Sequence, residues 1–144
     1  MDATSFAYAV LLLVGLVGVT NLLVPYESLT AEGCTLNYVY DGDTVALDCT
    51  DGRKTARLVG LDTPEIKDSG CEAEKAPGDE ATLLLRELAA SGEVTFDANC
   101  YDKYGRVLAV MKVDGADVSR TLINEGLAVV YAGGKRINWC RKLG

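Results

Sequence analysis

Residues 34–65, CTLNYVYDGDTVALDCTDGRKTARLVGLDTPE, decide the fold of this chain. Apolar and polar side chains alternate in three runs, at 34–40, 43–49 and 53–60, which is typical of half-buried strands. Asp-Gly pairs stand between the runs, and this dipeptide strongly favours hairpin turns. The stretch therefore predicts three consecutive antiparallel strands.

Downstream of these strands the pattern predicts an α+β domain. Residues 72–90 have a broad apolar helical face, with Pro77-Gly78 expected to mark the start of the helix and Ser91-Gly92 its end. The remaining elements are strands at 93–97, 106–113 and 127–131 and a short helix at 117–125, closed by Gly126. A small closed or nearly closed barrel would hide the edges of so many short strands.

The N-terminal segment is the most apolar part of the chain. Residues 6–24 carry no charge, and 19 such residues are enough to span a bilayer as a helix. A basic n-region and an A-x-A cleavage site are missing, which favours an uncleaved anchor over a cleaved signal without excluding the signal. We expect an anchor or signal segment at 1–25, a polar linker at 26–33 and one domain at 34–144. The domain would then face outside the cytoplasm, or be secreted or periplasmic after cleavage, as a monomer.

Five cysteines in so short a chain suggest an oxidising compartment. In a hairpin turning at Gly42, Cys34 and Cys49 fall almost opposite each other, within disulfide range. The other three cysteines can pair in several ways or remain as free, small apolar residues.

The composition excludes several kinds of site. The net charge is -7, which argues against binding a polyanion unless a basic site is local or a bound cation changes the local sign. The chain has no histidine, which excludes Ser-His-Asp triads, Cys/His zinc fingers and His-metal sites. Acid–base chemistry must therefore come from carboxylate, Lys, Tyr or Cys side chains, or from water beside a metal.

Three short segments concentrate reactive side chains: 41–44 (DGDT), 57–65 (RLVGLDTPE) and 102–106 (DKYGR). Each alone is explained by a solvated turn or a salt-bridge cluster at a strand end. Together they meet the needs of phosphodiester hydrolysis, because a hard cation needs oxygen ligands such as Asp43, Asp62 and a main-chain carbonyl.

The same segments also contain acid–base and phosphate-binding groups. Glu65 follows Pro64, which fixes the loop, and is placed to act as a general base. Arg57 and Arg106 are planar, permanently charged donors, which suit developing charge on phosphoryl oxygens better than lysines do.

In order and spacing the three segments resemble the signature motifs of the staphylococcal nuclease (thermonuclease) family, over residues 34–131. The resemblance implies a five-stranded OB-fold β-barrel with two to three helices, here preceded by the apolar N-terminal helix. It also implies calcium-dependent cleavage of DNA and RNA that leaves 3′-phosphates.

The resemblance assigns a role to each matching position. It implies that Asp43, Asp62 and the Thr63 carbonyl bind Ca²⁺, and that Arg57, Glu65 and Arg106 are catalytic. The implied substrate-binding residues are Lys103, Tyr104 and Tyr131. The stretches around Cys71 and Cys140 resemble a bacterial branch of the family, which implies that these two cysteines approach each other, in competition with Cys100.

The chain also departs from the staphylococcal enzyme. Only five residues follow Trp139, so we expect the third helix of the staphylococcal enzyme to be mostly absent here. The aromatic pair that lines the groove of that enzyme is reduced to Tyr131 in this sequence. One alternative is a non-catalytic OB-fold module that binds nucleic acid or protein, but such modules typically lack some of the active acids and arginines. A tethered calcium-binding protein is a third possibility, and it would leave Arg57 and Arg106 unexplained.

Overall fold

The computed structural model describes residues 33–144, apart from the side chain of Asn99. The main sheet contains β1 (Thr35–Asp41), β2 (Thr44–Cys49), β3 (Gly52–Leu58), β5 (Val94–Tyr101), β6 (Val107–Val113) and β7 (Ala116–Asp117). A second, two-stranded sheet pairs β4 (Gly60–Asp62) with β8 (Val129–Tyr131). The helices of this region are α1 (Glu72–Ser91), α2 (Val118–Asn124) and α3 (Trp139–Leu143).

The main sheet curls into a half-barrel. Its strand order is β1-β2-β3-β6-β5, with β7 added to β6. The pairing is antiparallel except between β3 and β6, which run parallel. The outer strands β1 and β5 contact each other, which brings the two edges of the sheet together. The predicted α+β class and the five-stranded OB-type barrel are confirmed.

The core lies between the curled sheet and the helices. Along β6 the residues are alternately buried and half-buried, as expected of a strand with one face on the core. Helix α1 contributes Ala81 and Leu85, and α2 contributes Leu122, all three fully buried. The helix α1 therefore packs on the barrel next to the turn and loop that bear the acidic residues.

The predicted third strand, 53–60, is wrong in its extent, because the structure has two strands there. Val59 continues the pairing of β3 with β6, since its N–H donates to the carbonyl of Ala109 on β6 at 3.0 Å. Gly60 then adopts a left-handed backbone with φ of 88° and turns the chain towards β8. As a result Asp62 ends a strand, two residues beyond the predicted end of the third strand at residue 60.

The predicted start of the long helix at Pro77-Gly78 is also wrong, because α1 begins at Glu72 and contains Pro77. The early start is stabilised by the carboxylate of Glu74, which accepts the Gly70 N–H at 2.7 Å. A Cβ atom at Gly78 would lie 2.9 Å from the Pro64 carbonyl oxygen. Glycine therefore lets α1 approach the loop that contains Glu65.

Two disulfides are present. Cys34–Cys49 closes the open end of the β1–β2 hairpin, as predicted from the hairpin geometry. Cys71–Cys140 joins the start of α1 to α3, as the family resemblance implied, and Cys100 is free.

Within residues 33–144, no helix is long and apolar enough to cross a membrane. The apolar helix predicted at 6–24 lies outside the described residues.

Replacing Cys71 and Cys140 together by serine should lower the free energy of unfolding by about 2–4 kcal/mol, because this bond closes a loop of 69 residues in the unfolded chain. Urea denaturation of the oxidised proteins measures the change. Cys100→Ser is the matched control and should stay within about 1 kcal/mol of the parent. Equal midpoints for the double variant and the control would mean that the bond contributes nothing.

Candidate active site

The turn between β1 and β2 places Asp43 inside the protein. A Cβ atom at Gly42 would lie 2.8 Å from both the Ala81 Cβ and the Thr63 Cγ2, so only glycine fits between α1 and the loop after β4. The Asp41 carboxylate accepts the Asp43 N–H at 3.0 Å and stabilises the turn. As a result Asp43 is buried, with 3% of its surface exposed.

Each carboxylate oxygen of Asp43 has its own set of partners. Asp43 Oδ2 accepts the N–H of Thr63 at 3.1 Å and its hydroxyl at 3.0 Å. Asp43 Oδ1 accepts the Thr44 hydroxyl at 3.1 Å and pairs with Arg57 Nη1. These contacts join two of the three predicted motifs.

Asp62 is the most deeply buried acid of the site, with no exposed surface. Its Oδ1 lies 3.2 Å from Arg57 Nη2 and pairs with Arg136 Nε, while Oδ2 accepts the indole N–H of Trp139 at 3.1 Å. A buried ionised carboxylate needs such partners, because losing its hydration costs several kcal/mol. Two arginine side chains and the indole of Trp139 therefore balance the negative charge of Asp62.

Arg136 is a site residue that sequence reasoning missed. Besides Asp62 Oδ1, its guanidinium contacts Glu65 Oε1, lies 3.1 Å from the Thr63 carbonyl oxygen, and lies 3.8 Å from Asp43 Oδ2. Arg136 stands 71 residues beyond Glu65, in the stretch before Cys140 that resembles a bacterial branch of the family. The resemblance assigned no role to Arg136 or Trp139, and no local pattern indicates which acids they contact.

A second loop orients Arg106. The Asp102 carboxylate accepts the backbone N–H groups of Arg106 and Tyr104, both at 2.9 Å, and Arg106 Nε at 2.7 Å. Burial raises the pKa of Asp102, but these hydrogen bonds outweigh it and lower the pKa below its ordinary value. The Tyr104 ring lies under Lys103 Nζ at 4.9 Å and Arg106 Cζ at 5.6 Å.

Both loops open on one cleft of about 590 Å³. All the predicted site residues except Asp62 and Thr63 line this cleft, and those two lie directly behind it in contact with Arg136. Tyr131 reaches it from β8 and donates its hydroxyl to the Gly134 carbonyl at 2.7 Å. The fold thus gathers residues from three distant segments into one place.

Burial shifts the ionisation of two groups at the cleft. It raises the pKa of Asp41 against the opposing effects of the Thr44 hydrogen bond and the Arg57 charge. It lowers the pKa of Arg57, and repulsion by Arg136 acts in the same direction. The arginines therefore repel one another and are held together by the acids between them.

The donor atoms fit a hard cation. Asp43 Oδ2, Asp62 Oδ1 and the Thr63 carbonyl all face the guanidinium of Arg136, which stands in for a cation among them. Carboxylate and carbonyl oxygens are the ligands that Ca²⁺ takes in proteins. The predicted calcium ligands therefore converge on one point.

Glu74 supports the loop that contains Glu65, the predicted general base. It is 5% exposed, and its two carboxylate oxygens accept the N–H groups of Glu65 at 2.9 Å and Gly70 at 2.7 Å. Glu74 thereby holds the backbone at Glu65 in place.

Residues 55–140 match the family described as "Staphylococcal nuclease homologue". The chain belongs to this family. The predicted membership of the staphylococcal nuclease family is confirmed, while the role of each residue remains a prediction.

Several relatives of this staphylococcal nuclease homologue are named as endonucleases. Endonuclease YncB of Bacillus subtilis (strain 168) is 39% identical over 99 residues, covering 67% of this chain and 46% of that protein. SPbeta prophage-derived endonuclease YokF of the same strain is also 39% identical over 99 residues, or 67% of this chain and 33% of that protein. An uncharacterized endonuclease of Escherichia coli is 35% identical over 96 residues, which cover 65% of this chain and 57% of that protein. The chain thus spans less than two thirds of the length of each of these relatives.

Glu74→Gln should lower the free energy of unfolding by about 1–3 kcal/mol, because the NH₂ of the buried amide would face one of the two N–H donors that now face a carboxylate oxygen. Guanidinium denaturation measures the effect. Glu72→Gln, on the same turn of α1 with a side chain 87% exposed, is the control and should change little. If both variants unfold at the same midpoint, Glu74 does not support the loop.

Proposed function

We propose that this protein is a calcium-dependent nuclease that hydrolyses phosphodiester bonds of DNA, RNA or both. One observation supports this most: Asp43, Asp62, the Thr63 carbonyl and Glu65 all reach the same guanidinium, at a cleft that Arg57 and Arg106 also line. The endonuclease names of several relatives support the same class of reaction.

The reaction assigns one task to each charged group. Calcium held by Asp43, Asp62 and Thr63 would withdraw charge from a phosphoryl oxygen. Glu65 accepts a proton from the water that attacks phosphorus. Arg57 and Arg106 donate hydrogen bonds to the phosphoryl oxygens as charge develops there. The bond from phosphorus to the 5′-oxygen breaks, this oxygen takes a proton from solvent, and a 3′-phosphate and a 5′-hydroxyl remain.

The two catalytic arginines are oriented before substrate binds. Arg57 is 8% exposed and contacts Asp43 and Asp62, whereas Arg106 is half-buried and contacts Asp102. Donors that are already oriented need no reorganisation during the reaction, which is the main source of electrostatic catalysis.

The acidic net charge is compatible with this function because four basic side chains line the cleft. Lys103 joins the arginines at positions 57, 106 and 136 along its lining. Tyr104 is 72% exposed and offers a ring face on which a base can stack. A polyanion would meet these four cations on a lining that also contains acids, and a bound dication would offset the charge of those acids.

We also propose that the domain works outside the cytoplasm. The two disulfides support this, because such bonds persist in oxidising compartments. The apolar segment at 6–24 would serve as anchor or signal.

Incubation with single-stranded DNA or RNA should give cleavage in calcium and none with a chelator. Glu65→Gln and Arg106→Ala should each lower kcat by about 10²-fold or more, because each removes a group that acts in the transition state. Gel analysis of end-labelled substrates measures both the rate and the 3′-phosphate ends.

Arg53→Ala is the control for Arg106→Ala, since it also removes an arginine that pairs with an aspartate, but at an exposed position outside the cleft lining. It should cleave at the parental rate. A folded parental protein that binds nucleic acid without cleaving it would contradict the enzyme and favour the non-catalytic OB-fold module.

Tyr104→Ala should raise KM about fivefold or more with little change in kcat, because stacking on one base contributes about 1–3 kcal/mol to binding. Steady-state kinetics on a short oligonucleotide separate the two constants. Tyr101→Ala removes another exposed ring under a lysine, outside the cleft lining, and should leave KM unchanged. An equal rise in both variants would point to a nonspecific loss of charge or packing.

A further inference from the structure

Arg136 is paired with the oxygen atoms that the proposed calcium site requires. Its guanidinium pairs with Asp62 and Glu65, hydrogen-bonds the Thr63 carbonyl and lies 3.8 Å from Asp43 Oδ2. In the part of the chain that the structure describes, it is the only cationic group in contact with Glu65 or with the Thr63 carbonyl.

Arg57 contacts the same acids from another side. It pairs with Asp43 Oδ1 and Asp62 Oδ1, and among the described residues no ion pair joins it to Glu65. Its side chain is 10% exposed, against 36% for that of Arg136. Arg57 is therefore a buried, fixed part of the cleft wall. Arg136 is the more exposed cation, and it contacts the carboxylate and carbonyl oxygens that the proposed calcium site requires.

We propose that Arg136 is a built-in counter-cation that competes with calcium for these oxygens. The inference rests on the proposed calcium-dependent function. A guanidinium and a divalent cation repel each other strongly at contact distance and cannot share the same oxygen ligands. Calcium therefore binds only when the Arg136 side chain has withdrawn, and without calcium Arg136 keeps both the acid cluster neutralised and Glu65 occupied.

The surroundings of Arg136 allow this withdrawal. It lies between β8 and α3, with exposed neighbours on both sides, Lys135 and Ile137. The segment is fixed just beyond it, by the indole hydrogen bond of Trp139 and the disulfide of Cys140. The side chain can thus swing out while the backbone stays, and it remains on the lining of the cleft.

If Arg136 occupies the oxygen ligands in most molecules, the apparent dissociation constant for calcium equals the intrinsic constant divided by the fraction of molecules in which Arg136 has withdrawn. We therefore expect Arg136→Ala and Arg136→Gln to bind calcium about tenfold or more tightly than the parent. Isothermal titration calorimetry on the whole chain measures this. Trp139 provides a second readout, since it is the only tryptophan of the chain and its indole touches Asp62.

Lys135→Ala is the matched control, because it removes the same charge at the adjacent, exposed position, which forms no ion pair among the described residues. It should bind calcium like the parent. Arg136→Gln keeps a planar polar group and serves as the second variant if Arg136→Ala folds poorly, with circular dichroism as the check.

Thermal unfolding distinguishes competition from simple structural support. In a chelator, Arg136→Gln should unfold at a lower temperature than the parent, because the acids lose a counter-charge. In saturating calcium the difference should narrow, because the bound ion replaces that charge.

Calcium binding by the parent with equal or weaker binding by both Arg136 variants would overturn the competition and leave the nuclease proposal intact. An equal gain in Lys135→Ala would also overturn it, since a general field effect would then suffice. Absence of calcium binding in the folded parent and in all variants would overturn the calcium-dependent function as well.

Discussion

The site depends on one constraint, which is that the charge of the buried Asp62 carboxylate must be balanced by other groups of the protein. This carboxylate has no exposed surface, so its charge must be balanced within the protein. The partners come from distant parts of the chain: Arg57 from β3, Arg136 from the segment after β8, and Trp139 from α3. One buried acid therefore holds together a strand of the barrel and the C-terminal segment.

The same constraint explains why the C-terminal residues belong to the site. The Cys71–Cys140 disulfide and the Trp139 hydrogen bond fix α3 against the start of α1 and the end of β4. Glu74, on the first turn of α1, holds the backbone of Glu65. The acid cluster is thus supported from behind by groups that never reach the cleft, which is what a preorganised site requires.

Charge is distributed unevenly in this protein. The whole chain is acidic at -7, yet the cleft combines buried acids with arginines and a lysine. A cluster of carboxylates that binds a dication must be stabilised by other cations when the dication is absent. Two arginines lie beside the acids of the proposed calcium site, one buried and one half-buried in the cleft lining, so the net charge of the chain does not describe the charge that a ligand would meet there.

Local sequence patterns predicted most of the barrel strands, because alternation and Asp-Gly turns act over a few residues. The strand predicted at 93–97 was too short, since β5 runs on to Tyr101, and β7 was not predicted. The Cys34–Cys49 bond follows from the same hairpin register, since cross-strand neighbours are fixed by the turn. The break of the third strand at Gly60 and the early start of α1 at Glu72 could not be predicted. The strand break depends on pairing with β8, which lies far along the chain, whereas the helix start depends on how the nearby loop at 65–70 folds back onto Glu74.

The sequence by itself determined which side chains are available for chemistry: the acids, the arginines and the absence of histidine, set in motifs with recognisable spacing. Only the tertiary structure decided that Arg136, Trp139 and Glu74 act on those motifs. Their contacts span 77 residues from Trp139 to Asp62, 71 from Arg136 to Glu65, and 9 from Glu74 to Glu65. Compensation of a buried charge depends on distance in space, and no local pattern of residues encodes which distant cation the fold will bring to it.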